Sequence, residues 1–292
     1  MSGLGRLVIR NSKVFLRDRT ALFFSFLSVF IIILVYAVFL GNTTTQSVRN
    51  MAGGDIDGIR WLVDSWIMAG ILVVTTITVP MGVFGMMVED NTNKRLDGFR
   101  VAPISRQTIV FGYLLTAWLI GMMLSMITFG IAMVYIAVNG GQWMSLSTIL
   151  KSTGIIALNI ASGASITFLL TMWVRTSGSY STLATVIGTV IGFLTGIYIP
   201  VGILPDGVQI MTRLIPATHG AALLRQIFMA GALDRVFLNA PPNIKAEFMR
   251  IFGVTIPWGN GILTQGTMVF VLVFSVVIFV ILSTIVMNRK NQ

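Results

Sequence analysis

Hydrophobic and polar positions divide the chain into six long apolar runs, separated by charged stretches or by stretches punctuated with Gly and Pro. The runs cover residues 21–41, 62–88, 109–138, 150–174, 181–200 and 265–287. A helix needs roughly 20 mostly apolar residues to cross a bilayer, and each run is about that long. None has Lys, Arg or Glu in its interior, and only Asp64 and Lys151 lie near ends. The pattern predicts an all-α membrane protein with six transmembrane helices in a single domain over residues 1–292. The first run is longer than a signal-peptide core, and no small-residue cleavage site follows it, so it reads as a retained helix. Ahead of it, Arg6, Arg10, Lys13 and Arg17 recur at helical spacing, with Leu4, Leu7, Val8, Val14 and Phe15 largely on the other side. Residues 1–20 therefore read as an amphipathic helix lying in the membrane interface, its cations near anionic lipid headgroups.

Composition agrees with this reading and removes alternatives. Charged residues are 10% and hydrophobic residues 55% of the chain, against about 25% charged in a soluble domain. The mean hydropathy is +0.88. The net charge of +10 would suggest nucleic acid in a soluble protein. Here the cations flank apolar runs and act as topology signals, so no nucleic-acid partner is expected. Twelve of the 20 Lys and Arg fall on one side of a six-span arrangement, in the N-terminal segment, the loop after the second span, Arg175 and the tail. The short loops opposite carry only Arg49, Arg60 and Lys151. Both termini are therefore expected in the cytoplasm of a multi-pass cell-membrane protein. The absence of cysteine and the single histidine, His219, exclude thiolate chemistry and a zinc cluster. No catalytic, cofactor or metal residues are expected.

The loop 89–108 is the most informative stretch. It mixes both charge signs with spaced apolar residues Leu96, Phe99, Val101 and Ile104, whereas a topology signal needs only cations. Pro103 would stop a helix, and Ser105 is placed to cap the next one. The run Arg95-Leu96 through Ala102-Pro103-Ile104-Ser105 to Gly112 resembles the loop before the third helix of ABC-2-type transporter permeases, the membrane subunits of exporters of drugs, antibiotics, haemolysins or other toxins. The resemblance implies six helices with cytoplasmic ends, an N-terminal interfacial helix and a coupling loop seated on a separate ATPase. Arg95, Leu96, Phe99, Arg100, Pro103 and Ile104 would dock that partner, present in two copies with ATP and Mg on it. A second permease copy or homologue would complete the path. After the fifth span, Pro200, Pro205 and Pro216 punctuate pieces too brief to cross a bilayer. Leu214-Ile215-Pro216-Ala217-Thr218, then Arg225 and Gly231, is similar to the family's external region. Residues 201–264 are thus expected to include short re-entrant helices outside.

No Gly-Lys pair exists in the chain, so it has no P-loop of its own. Proton or sodium relays usually use acidic or His groups inside the membrane, and the span interiors offer none. An ion-coupled secondary transporter using the Thr75, Thr76 and Thr78 hydroxyls with carbonyls freed by Pro80 stays open. So does a non-transporting membrane sensor or assembly factor. In the resembled family, helices two and five line the path, which implies Thr75, Thr76, Thr78, Met81, Thr189, Phe193 and Tyr198. A mostly apolar wall with hydroxyls suits an amphipathic or hydrophobic compound. Gly188, Gly192 and Gly196 form a repeated G-x-x-x-G that would allow close helix approach, within the chain or to a second copy. Asn159 and Ser162 are candidate interhelical hydrogen-bonding groups.

Overall fold

Helix α4, Ile59–Thr92, is the axis on which the chain is built. Its 34 residues would reach roughly 50 Å at about 1.5 Å per residue, more than a hydrocarbon core of about 30 Å. Both ends therefore project beyond the apolar slab. The computed structural model describes residues 3–36, 41–95, 105–259 and 261–289. Before α4 come α1 (Gly3–Arg17), α2 (Arg19–Val35) and α3 (Gly41–Ala52). After it come α5 (Arg106–Val138), α6 (Leu146–Thr171) and α7 (Ser177–Leu194). Four short helices follow: α8 (Asp206–Leu214), α9 (Pro216–Phe228), α10 (Ala230–Val236) and α11 (Pro242–Ile251). A two-stranded antiparallel hairpin, β1 (Pro257–Trp258) with β2 (Gly261–Ile262), precedes the last helix, α12 (Gln265–Arg289).

Among the described residues, five helices are long and apolar enough to cross a membrane: α4, α5, α6, α7 and α12. Helix α2 holds the place of the first span with 17 residues. The first run was expected to continue to Gly41. Instead Gly41 opens the polar helix α3, and residues 37–40 lie outside the described part. The fifth span was expected to reach Pro200, but α7 stops at Leu194. Gly196 adopts φ +75°, and the N–H of Ile197 reaches back to the Gly192 carbonyl at 3.0 Å. This is the left-handed stop that glycine makes cheaply. Ser145 and Ser105 cap α6 and α5, each accepting from the backbone N–H three residues on, as expected for Ser105.

Almost all of α4 is buried, and it meets α5, α6, α7 and α9 on different sides. Close approach is made possible by glycines facing bulky neighbours. A methyl at Gly121 would come within 2.8 Å of Ile160, and one at Gly163 within 2.8 Å of Ile77. Pro80 withholds an N–H from the Thr76 carbonyl, and the Gly163 face of α6 packs over that carbonyl. Between α6 and α12 the hydroxyls of Ser162 and Ser275 share a hydrogen bond of 2.7 Å.

The end of the bundle opposite α1 is capped by aromatic packing. Phe248 of α11 stacks on Phe252 and meets Phe237, and Trp66 Nε1 donates to the Phe252 carbonyl at 2.8 Å. Phe237, Phe248 and Phe252 thus tie the cap to α4. Helix α9 passes through this cap into the bundle, with Ala217 to Arg225 all buried among α4, α6 and α12. Helix α8 leaves Ile210, Met211 and Leu214 exposed, an amphipathic arrangement suited to a membrane boundary.

Candidate functional site

At the end that carries α1, the fold gathers polar and charged groups from four parts of the chain. Helix α1 lies against α4 and α5 because Leu7 and Phe15 fill spaces beside two glycines. A methyl at Gly112 would come within 2.4 Å of Leu7, and one at Gly82 within 3.1 Å of Phe15. Asn11 is buried between them. The stripe of Arg6, Lys13 and Arg17 stays exposed and borders a shallow groove with Ile9 and Val14. Val14 lies on the exposed side, and the buried face runs through Leu7, Asn11 and Phe15. The interfacial helix is therefore docked on the bundle by a narrow seam.

Arg10 turns inward from that stripe to Asp90, near the end of α4. Its two terminal nitrogens donate to the carboxylate at 2.5 and 3.3 Å, and Arg10 also donates to Asn11 Oδ1 at 3.0 Å. Tyr113 of α5 donates its hydroxyl to Asp90 at 2.9 Å. Arg95 approaches the other carboxylate oxygen at 3.5 Å. Asp90 is 0% exposed, whereas Arg10 and Arg95 keep 31% and 55% exposure, so solvent screens the pairs from the guanidinium side. The hydrogen bond to Asp90 holds the Arg10 guanidinium above its ordinary value, and it stays cationic. The turn that delivers Arg95 is specific. Lys94 takes φ 58°, and the Arg95 N–H returns to the Asp90 carbonyl at 2.8 Å. A left-handed conformation costs an L residue about 1–2 kcal/mol. Arg95 is thus joined to Asp90 twice, by its side chain to the carboxylate that holds α1 and by its backbone N–H to the main-chain carbonyl.

Of the expected docking residues, Arg95 sits at this junction, more than half exposed. Leu96, Phe99, Arg100, Pro103 and Ile104 lie outside the described residues. Asp90, Arg10 and Tyr113 were not identified as a unit from the sequence. The available signal was an acid at the edge of an apolar run with a basic stripe elsewhere.

The opposite end of α4 carries a second buried carboxylate. Asp64 accepts from Tyr36 at 2.9 Å and from Arg60 Nε at 3.1 Å, and Arg60 reaches the Tyr135 hydroxyl at 3.3 Å. The group ties α4 to α5 and to the end of α2. Each acid is thereby neutralised where it stands, which suits a structural ion pair.

Deeper in the cap, Arg225 of α9 is 1% exposed. It donates to the Gly196 carbonyl at 3.2 Å and lies over the Trp66 ring at 5.1 Å. No carboxylate pairs with it among the described residues. A carbonyl and an aromatic face hold the cation instead. His219 directs Nε2 at the Arg213 carbonyl, 2.9 Å away, fastening α9 to α8.

The expected path residues divide into two groups. Thr75, Thr76 and Met81 are buried, and Thr78 is half-buried. The three hydroxyls donate to carbonyls of their own helix at 2.6 to 3.1 Å. Within one chain these α4 positions are not open to a path, because neighbouring helices cover α4. Thr189, Phe193 and Tyr198 are exposed on and after α7, and the two rings meet edge to face.

The glycine triplet does three separate things rather than seating one helix. Gly196 ends α7. Gly192 accommodates the Tyr198 ring, which a methyl would meet at 2.3 Å. A methyl at Gly188 would meet nothing within 4 Å. The expected G-x-x-x-G seam is therefore not an intrachain contact, and Gly188 with Ser181, Thr185 and Thr189 borders an open face. Gly188→Leu is expected to change the stability of the isolated chain by no more than about 0.5 kcal/mol while weakening association of two copies at least tenfold. Size-exclusion chromatography against a thermal melt checks both. Unaltered association would show that α7 does not meet another chain at Gly188.

A model of the ABC-2 type transporter family matches residues 3–229. No curated protein matches the chain. The matched region runs from the docked helix α1 through the buried helix α9.

Proposed function

Because this chain belongs to the ABC-2 type transporter family, a family of membrane permease components, we propose that it is the permease subunit of an ATP-driven exporter. Its cargo is an amphipathic or hydrophobic compound such as a drug, antibiotic, haemolysin, toxin or lipid. A separate ATPase, in two copies, binds ATP and Mg and hydrolyses ATP. It docks on the loop around Arg95, Leu96, Phe99, Arg100, Pro103 and Ile104. Six spans with both termini in the cytoplasm place that loop and α1 on the ATPase side. A second permease copy or homologue faces the exposed side of α7, so that Thr189, Phe193 and Tyr198 border the path.

The observation that carries this reading is the Asp90 junction. A loop that merely joined two spans has no need of a buried carboxylate. Here the first residues after α4 are bound to the group that also fixes α1 and α5. A push on the loop is therefore delivered to three helices together. The same buried acid argues against ion coupling, because its charge is already matched by two guanidinium groups.

Co-purification of the chain with an ATPase, followed by ATP-dependent transport in proteoliposomes, tests the proposal. Phe99→Asp is expected to weaken the ATPase complex at least tenfold by placing a charge in an apolar contact. Undiminished binding and transport in that variant would refute docking at this loop.

A further inference from the structure

Arg225 is held by less than a buried guanidinium can use. It is 1% exposed, it donates to the Gly196 carbonyl, and its Nε has no hydrogen-bond partner. A buried cation without negative charge beside it is costly. The surroundings of Arg225 therefore matter more than its two contacts suggest.

A small cavity in the cap lies one glycine away. Its wall includes Val201, Arg213, Thr218, Arg250, Gly253 and Thr255. A methyl at Gly253 would stand 3.0 Å from Arg225 Nη1 and 3.5 Å from a methyl of Val201. Gly253 also takes φ +63°, a conformation that suits glycine. With no side chain at that position, the guanidinium stands directly behind the wall. The wall joins α8 through Arg213, α9 through Thr218, and α11 through Arg250.

The charge around this cavity has one sign. Arg250 is already paired with Glu247, at 2.6 and 2.9 Å. No carboxylate pairs with Arg213 among the described residues. No Asp or Glu lines the cavity. Arg213 and Arg225 thus leave two positive charges uncompensated around one small volume. Where solvent is largely excluded, such a field favours an anion over a neutral water. Thr255 adds a hydroxyl to the same wall.

Size narrows the class of anion. The cavity measures about 20 Å³, and a single water needs about 10–15 Å³ on the same measure. One particle of that order fits. Chloride is little larger than water, whereas sulfate, phosphate and carboxylates are polyatomic and too large. Arg250 is exposed and Arg213 half-buried, so the ion can exchange with the aqueous phase.

We propose that this cavity binds one monatomic anion, chloride, between Arg213 and Arg225. Held there, the ion joins α8, α9 and the residues after α11, and so fixes the cap alongside its aromatic packing. The binding does not depend on the permease reading.

The test uses the full chain in lipid nanodiscs, with sodium methanesulfonate replaced stepwise by sodium chloride at constant ionic strength. Methanesulfonate carries the same charge but is too large for the cavity. The melting temperature is expected to rise by about 4 °C and to level off as the site fills. Bromide should act like chloride. Arg213→Gln should raise the half-saturating chloride concentration about tenfold, since one of the two facing charges is gone. Arg225→Met should abolish the chloride dependence, and if that variant fails to fold, Arg213→Gln decides alone. Hydrogen exchange should slow with chloride in peptides of α8 and α11 and stay unchanged in α5. No rise with chloride would mean that the cavity holds only water, and would overturn the proposal. So would an unchanged half-saturation in Arg213→Gln, or protection spread evenly over the chain, because either result marks a general salt effect.

Discussion

Asp90→Ala is expected to lower the unfolding free energy by about 3 kcal/mol and to abolish coupled transport. Removing one partner of a buried ion pair costs about 3–5 kcal/mol, because the other charge is left without compensation. The lower end applies, since Arg10 keeps 31% exposure and Arg95 55% and both regain some solvation. The Tyr113 hydroxyl loses its acceptor in the interior as well. Arg95→Ala should cost no more than about 1 kcal/mol, as for other exposed pairs. Denaturant unfolding in mixed micelles measures the difference between the two variants. An Asp90→Ala protein as stable as the parent would mean that the carboxylate does not hold α1. If it is destabilised yet transports at the parental rate per hydrolysed ATP, the junction is structural and the loop acts by another route.

Gly220→Ala is expected to be nearly as damaging, for a steric reason. The added methyl would lie 1.9 Å from Asn159 Oδ1, 2.2 Å from Nδ2 and 2.3 Å from Cγ. The whole amide group must turn away, or α9 must retreat from α6. Overpacking of a tight core costs about 1–3 kcal/mol, and these distances place the change at the upper end, about 3 kcal/mol. The pair Asn159→Ala with Gly220→Ala should recover most of that loss, because the obstructing atoms are gone. A double-mutant cycle reads the recovery directly as a coupling energy of opposite sign. If the double variant is no more stable than Gly220→Ala alone, the contact between α6 and α9 is not what limits that position.

The runs of apolar residues carried the architecture because span length is set by bilayer thickness, and that signal is summed over some 20 positions. Helix ends were less legible. The stop at Leu194 depends on one left-handed glycine, whereas apolar residues continue through Ile197, Tyr198 and Ile199. The cap also escaped a local reading. Trp66 and Phe252 are far apart in sequence, and only folding joins the indole N–H to that carbonyl.

Candidate site residues were legible in proportion to how local their signal is. Arg95 belongs to a motif readable from consecutive residues. Asp90 acquires its role from Arg10, Tyr113 and Arg95 together, a constellation that no spacing rule describes. The hydroxyls of α4 show the converse. Thr75, Thr76 and Thr78 are consecutive enough to read from sequence, and within one chain each donates to a carbonyl of its own helix.

Arg225 sets an order for biogenesis. A guanidinium buried at 1% exposure without a carboxylate partner is costly unless other groups receive it, so α9 is not expected to take its place before those groups exist. The groups that receive its guanidinium, the Trp66 ring and the Gly196 carbonyl, belong to segments synthesised earlier. The indole is then fixed by Phe252, synthesised later. Helix α9 is therefore expected to enter after α4 and α7 are in place, with the chain beyond it closing the cap behind it. Nascent chains arrested before Phe252 should leave Arg225 accessible to aqueous reagents, and longer ones should protect it.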